Sequence, residues 1–161
     1  MTTKNTDLVA NFEATPQVAN SAAELAGVLR TAHGSVELAA GDSTDNDIVM
    51  LAPIPSNAAV PTLFVGADAL GGSCTFNAGI YKTDGTVKDE DAFATSVASS
   101  SATAMADLRF EAADLNTGSQ KLWELAGDST DPGGYFYIAI TFNATGGTAG
   151  TLNWNINYVV N

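Results

Sequence analysis

The sequence has few of the side chains that carry out chemistry. Its 161 residues include one cysteine, Cys74, and one histidine, His33. A lone cysteine excludes an intramolecular disulfide, and a lone histidine excludes a two-histidine zinc site or an HExxH helix. A catalytic triad or dyad would have to use His33, and no GxSxG elbow accompanies it. We therefore predict no catalytic residue, no metal and no cofactor, with Cys74 as a small buried hydrophobe and His33 as a strand or solvent-edge residue.

Basic residues and long apolar runs are also scarce. Six Lys and Arg stand against 18 Asp and Glu, for a net charge of −12. A surface this negative repels nucleic acid and anionic lipid, so we expect neither as a partner. No run of roughly 18 apolar residues offers a membrane span. Residues 1–7 lack the apolar core of a signal peptide, and with a single cysteine this predicts folding in a reducing cytosol.

What the sequence does contain is alternation of apolar and polar residues. In the last eleven residues before the terminal asparagine, one face carries Leu152, Trp154, Ile156, Tyr158 and Val160, and the other carries Thr151, Asn153, Asn155 and Asn157. A period of two predicts a strand with one buried face and one wet face. Residues 136–142 alternate in the same way, and we predict that they form the strand paired with the C-terminal one.

Short apolar stretches bounded by turn residues recur along the chain. They cover residues 36–40, 48–54, 60–67, 74–81, 135–142 and 152–160, with Gly-, Asp- and Pro-containing turns between them. Strands of this length and spacing predict an antiparallel β-sandwich or barrel. At this length we expect one domain with a sizeable core.

Four segments depart from this pattern. Residues 89–96 open with three acids and predict a short helix, and the Ser- and Ala-rich residues 98–104 predict a loop. Residues 21–24 match a capping box and favour a helix over 21–29, although residues 28–33 are equally compatible with a strand. The segment around Trp123, residues 121–125, fits an edge strand or a helical turn.

Residues 1–30 differ in composition from the rest, being rich in Ala, Asn and Thr with scattered apolar positions. Two interpretations stand side by side: an arm that packs on something other than its own core, and a partly disordered tail. We divide the chain into an arm, residues 1–24, and a β-sandwich domain, residues 25–161. Within the arm, Leu8, Val9 and Phe12 are the candidate contacts to a neighbouring subunit or to a larger shell.

Three further features have both a purely structural and a functional interpretation. Asp42, Asp45 and Asp47 crowd one turn, where hard oxygen ligands suit Ca²⁺, but the spacing and closing glutamate of an EF-hand are absent and solvated turn acids are the simpler interpretation. Trp123 and Trp154 suit core packing, with Trp123 also a candidate anchor at a subunit contact. The asparagine row Asn153, Asn155 and Asn157 suits a wet exterior or a polar subunit contact.

The succession of landmarks resembles a family of small head proteins of tailed bacteriophages, variously called cement, decoration or minor capsid proteins. The most specific part is DALGGS at residues 68–73 followed by TFNAG at residues 75–79, and GTL at residues 150–152 supports it. The remaining landmarks are residues 39–42, 48–51, 53–55, 63–65, 91–93 and 137–141. The resemblance covers roughly residues 25–160.

This resemblance implies a jelly-roll β-sandwich that sits on the capsid exterior, commonly as a trimer bridging neighbouring capsomers. It therefore implies a structural virion protein, not an enzyme, assembled in the host cytoplasm with the major capsid protein as partner. The chain departs from the family pattern in two places. The basic strand opening GGRVRV keeps only Arg30, and the LPKGA turn has lost its lysine at residues 53–57. A jelly-roll carbohydrate-binding module, with Trp123 and the tyrosines as a platform, is the alternative, and a sandwich-fold hydrolase ranks last.

Overall fold

The computed structural model describes residues 6–20, 25 and 27–160. Within them, eight strands form two four-stranded antiparallel sheets. The strands are β1 (Leu29–Leu38), β2 (Ile48–Pro55), β3 (Ala58–Ala67), β4 (Thr75–Lys82), β5 (Val87–Ala98), β6 (Thr103–Asp107), β7 (Tyr135–Ala144) and β8 (Gly150–Val160). In this part of the chain, no helix has the length and apolar character needed to cross a membrane.

The order of the strands identifies the sandwich as a jelly roll. Sheet 1 has the order β1-β8-β3-β6 and sheet 2 the order β2-β7-β4-β5. Consecutive strands thus alternate between the sheets around most of the fold, which is the pattern of an eight-stranded double Greek key. The predicted all-β antiparallel sandwich is confirmed.

The core lies between the two sheets and is built from the alternation seen in the sequence. Phe136, Ile138, Ile140 and Phe142 of β7 point inward, as do Leu152 and Ile156 of β8. The rings of Phe76 on β4 and Phe142 meet edge to face with centroids 6.4 Å apart, an arrangement that aromatic quadrupoles favour. Cys74 is fully buried in this cluster, as predicted.

Three sequence predictions about the strands are wrong. Residues 89–96 are not a helix, because β5 runs from Val87 to Ala98 and pairs with β4. The β7 strand does not pair with β8, because it lies between β2 and β4 in the opposite sheet and faces β8 across the core. Within residues 98–104 only 99–102 are a loop, since β5 ends at Ala98 and β6 begins at Thr103 and pairs with β3.

Two ambiguous segments are now settled where the structure describes them. Residues 29–33 belong to strand β1, while the capping box at residues 21–24 lies outside the described residues. The segment around Trp123 is a helical turn, α2 (Leu122–Leu125), preceded by a 3-10 helix over Leu115–Ser119. Near the N-terminus, α1 (Asp7–Glu13) is a short helix in the predicted arm.

One glycine sets the shape of sheet 2. A methyl group on Gly79 of β4 would collide with the backbone of Asp89 and Glu90 in β5. The register of β4 with β5 shifts three times along the pair, so β5 bulges across β4 at the point where Gly79 leaves room. Ser96, which has a positive φ of 52°, holds the bulged strand by donating its backbone N–H to Asn77 Oδ1 at 2.8 Å.

Candidate interaction surfaces

The single histidine and the single cysteine, His33 and Cys74, lie apart in the fold. His33 is exposed on the outer face of β1, opposite Asn155 of β8, whereas Cys74 is buried between the sheets. No group of three or more His, Cys, Asp and Glu side chains within the described ranges is placed to hold a metal ion.

Two of the acids in the turn at residues 41–47, Asp42 and Asp47, accept local hydrogen bonds. Asp42 accepts the backbone N–H of Ala39 at 2.9 Å. Asp47 accepts both the hydroxyl and the backbone N–H of Thr44, and these bonds hold the pKa of Asp47 below its ordinary value. Such carboxylates stabilise the turn that joins β1 to β2.

The described part of the arm, residues 6–20, is held in shape by its own hydrogen bonds. The side-chain amide of Asn11 donates to Asn20 Oδ1 at 2.8 Å, and that of Asn20 donates to the carbonyl of Leu8 at 3.1 Å. The backbone N–H of Val18 donates to the Asn11 carbonyl at 3.1 Å, which closes the segment after α1 into a loop. The arm is therefore a small ordered unit within residues 6–20.

This unit leaves apolar side chains in solvent. Phe12 is 67% exposed, Val18 is 50% exposed and Val9 is 41% exposed, while Leu8 is half-buried. Several exposed apolar residues on one short segment are typical of a protein contact. The structure thus presents Val9 and Phe12 in the manner that the predicted role of the arm requires, and the contact itself stays a prediction.

The asparagine row lies on the outer face of sheet 1. Asn153 is exposed and Asn155 and Asn157 are half-buried. The amide of Asn157 donates to Thr62 Oγ1 of β3 at 2.7 Å, and Thr31 Oγ1 of β1 lies 3.5 Å from Asn155 Oδ1. These side chains tie three neighbouring strands together and give this face hydrogen-bonding groups with little charge. The predicted polar subunit contact stays a prediction.

Trp123 packs against the core from a half-buried position. It is half-buried in α2 and packs against the core cluster, beside the fully buried Leu122. Its backbone N–H donates to the carbonyl of Ser56 at 3.1 Å, which anchors α2 on the turn between β2 and β3. Of its two interpretations, core packing describes its position, and a role as subunit anchor is untested.

Sequence reasoning missed Arg109, a fully buried guanidinium in an acidic chain. Its Nε donates to the Val60 carbonyl at 2.7 Å and its Nη2 to the Thr117 carbonyl at 2.9 Å. The guanidinium carbon lies 5.1 Å from the ring centre of Phe93 and 4.8 Å from that of Phe110, within range of cation–π attraction. Burial lowers the pKa of Arg109 to about 10, and nearby Asp107 opposes that shift.

Arg109 therefore clamps the segment that follows β6 onto β3 of sheet 1, under Phe93 of sheet 2. Its Nη1 is buried without a hydrogen-bond partner among the described residues. The signal in the sequence was an arginine between Leu108 and Phe110, in a chain with only six basic residues. An arginine between two apolar residues suggests that its side chain is buried. It does not indicate which carbonyls accept hydrogen bonds from the guanidinium.

No protein-family model and no characterised protein sequence matches the chain. Among solved structures it is similar to a chain of the cyanophage Pam1 capsid asymmetric unit, with 17% identity and a TM-score of 0.51, over 84% of this chain and 86% of that one. It is also similar to a chain of infectious bursal disease virus, Gx strain, with 14% identity and a TM-score of 0.49, over 83% of this chain and 32% of that one.

A third similar structure is the acidic stable capsid of Helicobacter pylori bacteriophage KHP30, with 14% identity and a TM-score of 0.34, over 83% of this chain and 94% of that one. At such identities a likeness concerns the fold alone. The first of the three shares the fold with this chain over most of the length of both proteins.

Proposed function

We propose that the chain is a structural virion protein of a tailed bacteriophage, a cement protein without catalytic activity. It binds the outer surface of the shell formed by the major capsid protein and stabilises the contacts between neighbouring capsomers. It reaches the capsid in the host cytoplasm, where the head is assembled.

The observation that carries this proposal is the ordered arm with its exposed apolar side chains. Phe12 and Val9 lie on a segment closed by the Asn11–Asn20 hydrogen bond, so little conformational entropy is lost when the arm binds. An exposed aromatic side chain on such a segment is the kind of residue that dominates binding energy once a partner covers it. A protein whose work is to hold others together needs a preformed contact of this kind.

Two further observations support the same function. The jelly roll is shared with a chain of the cyanophage Pam1 capsid asymmetric unit over most of both lengths. The motifs at residues 68–79 resemble those of phage cement proteins. The protein also forms a homotrimer in this proposal. Head-to-tail contacts about a threefold axis close into a ring. The asparagine row of sheet 1 supplies the polar contact between subunits.

The experiment compares two exposed aromatic residues on the same protein. Phe12, 67% exposed in the arm, is replaced in Phe12→Ala, and Tyr135, 57% exposed at the start of β7, is replaced in Tyr135→Ala. Each purified protein is titrated onto expanded phage heads that lack it. We expect Phe12→Ala to bind about 30-fold more weakly, as for the loss of a hot-spot side chain worth about 2 kcal/mol, and Tyr135→Ala to bind as the parent does.

Three outcomes would contradict the proposal. The parent protein would fail to bind expanded heads, or Phe12→Ala would bind as tightly as the parent, or the arm would exchange its amide hydrogens equally fast on heads and in solution. Light scattering of the free protein tests the trimer separately. A glycan array tests the carbohydrate-binding alternative, and sugar binding there with no binding to heads would favour that alternative.

A further inference from the structure

The two sheets end in four edge strands, and most of these carry features that prevent pairing with other chains. β2 contains Pro53 and Pro55, which cannot donate a ladder hydrogen bond, and has a register shift between Met50 and Ala52. β6 is only five residues long and fully exposed. Prolines, bulges and short length are the usual means by which proteins protect a sheet edge.

The edge strand β5 is protected by charge and irregularity. Lys88, Asp89, Glu90 and Asp91 follow one another in its first half, and its register with β4 shifts three times. A bulged strand with four successive charges is a poor template for a straight incoming strand.

β1 carries two charged residues, Arg30 and Glu37, but it has no proline, no bulge and no run of charges. Its ten residues, Leu29–Leu38, contain no proline, and its register with β8 runs unbroken from Leu29 opposite Val159 to Leu38 opposite Gly150. No strand in the described part of the chain pairs with its other side. The backbone groups on that side therefore form a straight, open template ten residues long.

An open groove lies beside this template, between β1 and β2. It has a volume of about 430 Å³, and its apolar lining includes Val36 and Leu38 of β1 and Val49 of β2. Val36 and Val49 are half-buried and pack on the edge of the core, so the two sheets are not closed over them. The groove is thus the place where the side chains of an added strand would complete the sandwich.

Acidic side chains line one end of the groove. Glu37, Asp42 and Asp47 all contribute to it, near the turn that joins β1 to β2. A basic side chain is present in β1 only at the far end, at Arg30. The groove therefore favours an apolar segment that brings positive charge to the Glu37 end.

We propose that the free edge of β1 binds an extended segment of a partner protein by strand addition. The segment has apolar side chains at alternate positions, which enter the groove over Val36 and Val49, and basic side chains that lie near Glu37. Main-chain hydrogen bonds to β1 hold the segment, and the groove selects its alternate side chains. A second copy of this chain is a poorer occupant, because each copy carries a net charge of −12.

This inference does not depend on the proposed function, because any partner with such a segment would fit. The probe is a synthetic peptide with capped ends, Lys-Val-Thr-Val-Lys-Val-Thr-Val-Lys, added to the isotope-labelled full-length protein. We expect every second amide of β1, the set that points away from β8, to become protected from hydrogen exchange. The amides of β6 should keep their rates. Replacing each lysine of the peptide by glutamate should weaken binding by at least about tenfold.

Two methylated peptides separate strand pairing from simple apolar contact. One is N-methylated at every valine and the other at every lysine and threonine, so that each loses the hydrogen-bonding groups of one edge only. Strand addition uses one edge of the peptide, so one methylated peptide should bind as the parent peptide does and the other should not bind. Equal binding of both would overturn the proposal.

Matched substitutions on two edges locate the site. Val36 on β1 and Val97 on β5 are both half-buried valines packed against the core. We expect Val36→Lys, which places an inward charge on the open edge, to abolish peptide binding, and Val97→Lys to leave it unchanged. Should the lysine variants not fold, Val36→Thr and Val97→Thr provide the same contrast in milder form, with about a fewfold loss for Val36→Thr only.

The remaining outcomes each count against the proposal. It is wrong if millimolar peptide leaves the exchange rates of β1 unchanged, or if the protein pairs with itself through β1 in the absence of peptide, which light scattering combined with hydrogen exchange would reveal. It is also wrong if Val97→Lys reduces binding as much as Val36→Lys does.

Discussion

The two sheets of the sandwich differ in how much of each is covered. In sheet 2, outward-facing residues are buried too: Tyr81 of β4 is 1% exposed and its hydroxyl hydrogen-bonds to Thr141 of β7. In sheet 1 the outward-facing Thr31, His33 and Asn153 are exposed. Sheet 2 also has both edges protected, whereas sheet 1 leaves β1 open. Sheet 2 thus has the features of a stable scaffold, and sheet 1 those of a surface that meets other proteins.

A pair of glycine substitutions tests this difference and has the largest expected effect. Gly79→Ala in sheet 2 would push a methyl group into the backbone of β5, which cannot move without breaking its pairing with β4. Gly34→Ala in sheet 1 would meet only the ring of Trp154 on β8, with a closest atom at 2.9 Å, and a half-buried side chain shifts more readily than a paired backbone does. We expect Gly79→Ala to cost more than about 3 kcal/mol and Gly34→Ala about 1 kcal/mol in the free energy of unfolding.

Urea unfolding followed by tryptophan fluorescence measures both values. Equal costs for the two variants, or a larger cost for Gly34→Ala, would show that sheet 2 is no less adaptable than sheet 1. The contrast drawn between a rigid sheet and an open one would then be wrong.

The next largest expected effect is a loss of stability on replacing Arg109. This buried side chain closes its part of the sandwich, whereas the groove between β1 and β2 is open. Arg109→Met keeps the bulk between Phe93 and Phe110 but removes the side-chain donor from the buried Val60 carbonyl and leaves the Thr117 carbonyl with only the Gln120 N–H. We expect a loss of about 2 kcal/mol in the free energy of unfolding, since losing the hydrogen bonds outweighs the relief of removing a buried charge.

Arg109→Lys sharpens that result. Lysine keeps the charge but lacks the planar fork that reaches two carbonyls at once, so it should destabilise the protein at least as much as methionine does. Full stability of the lysine variant would mean that charge alone, and not the geometry of the clamp, holds this end together. Chemical unfolding of the three proteins at one pH distinguishes the cases.

The alternation of apolar and polar residues predicted where strands lie, but not how the strands pair. The alternation in residues 136–142 and 152–160 correctly predicted two strands, and the spacing of turns correctly predicted a sandwich. The predicted pairing of β7 with β8 was wrong, because most strands adjacent in sequence lie in opposite sheets of this jelly roll, and the period-two pattern of a strand does not identify the strand that it pairs with. Residues 89–96 were wrongly predicted as a helix because their first three residues are acidic, as is common at the start of a helix. They form a bulged strand instead, and the bulge depends on Gly79 of β4, which lies ten residues before Asp89.

The candidate surfaces were predictable to a different extent. The composition of residues 1–24 pointed to Val9 and Phe12, and the asparagine row was visible as an alternation. The open edge of β1 was not visible, because a strand becomes an edge only through the order of the whole sheet. Arg109 was missed for a similar reason: its partners, Val60 and Thr117, lie far from it or on an irregular segment.

The smallest expected effect is on the pH dependence of folding stability, to which Asp131 and Asp89 contribute with opposite signs. Asp131 accepts the Ser56 hydroxyl at 2.6 Å and the backbone N–H of Gly133 at 2.9 Å, and these bonds hold its pKa below the ordinary value of 3.8. Asp89 on β5 has its pKa raised, first by burial and then by its neighbour Asp91. A lowered pKa means that the ionised Asp131 stabilises the fold above its unfolded pKa, and that this contribution is lost as the pH falls through the folded value.

For Asp89 the sign reverses, because ionisation is less favourable in the folded protein than in the unfolded chain. We therefore expect Asp131→Asn to melt below the parent at pH 7 and Asp89→Asn to melt above it. Both differences should shrink as the pH falls, that of Asp89→Asn first, because its folded pKa is the higher of the two. Melting curves from pH 7 to about pH 3 measure this. Shifts of the same sign for the two variants would show that the carboxylates of sheet 2 and of the turns do not differ in the way that their contacts imply.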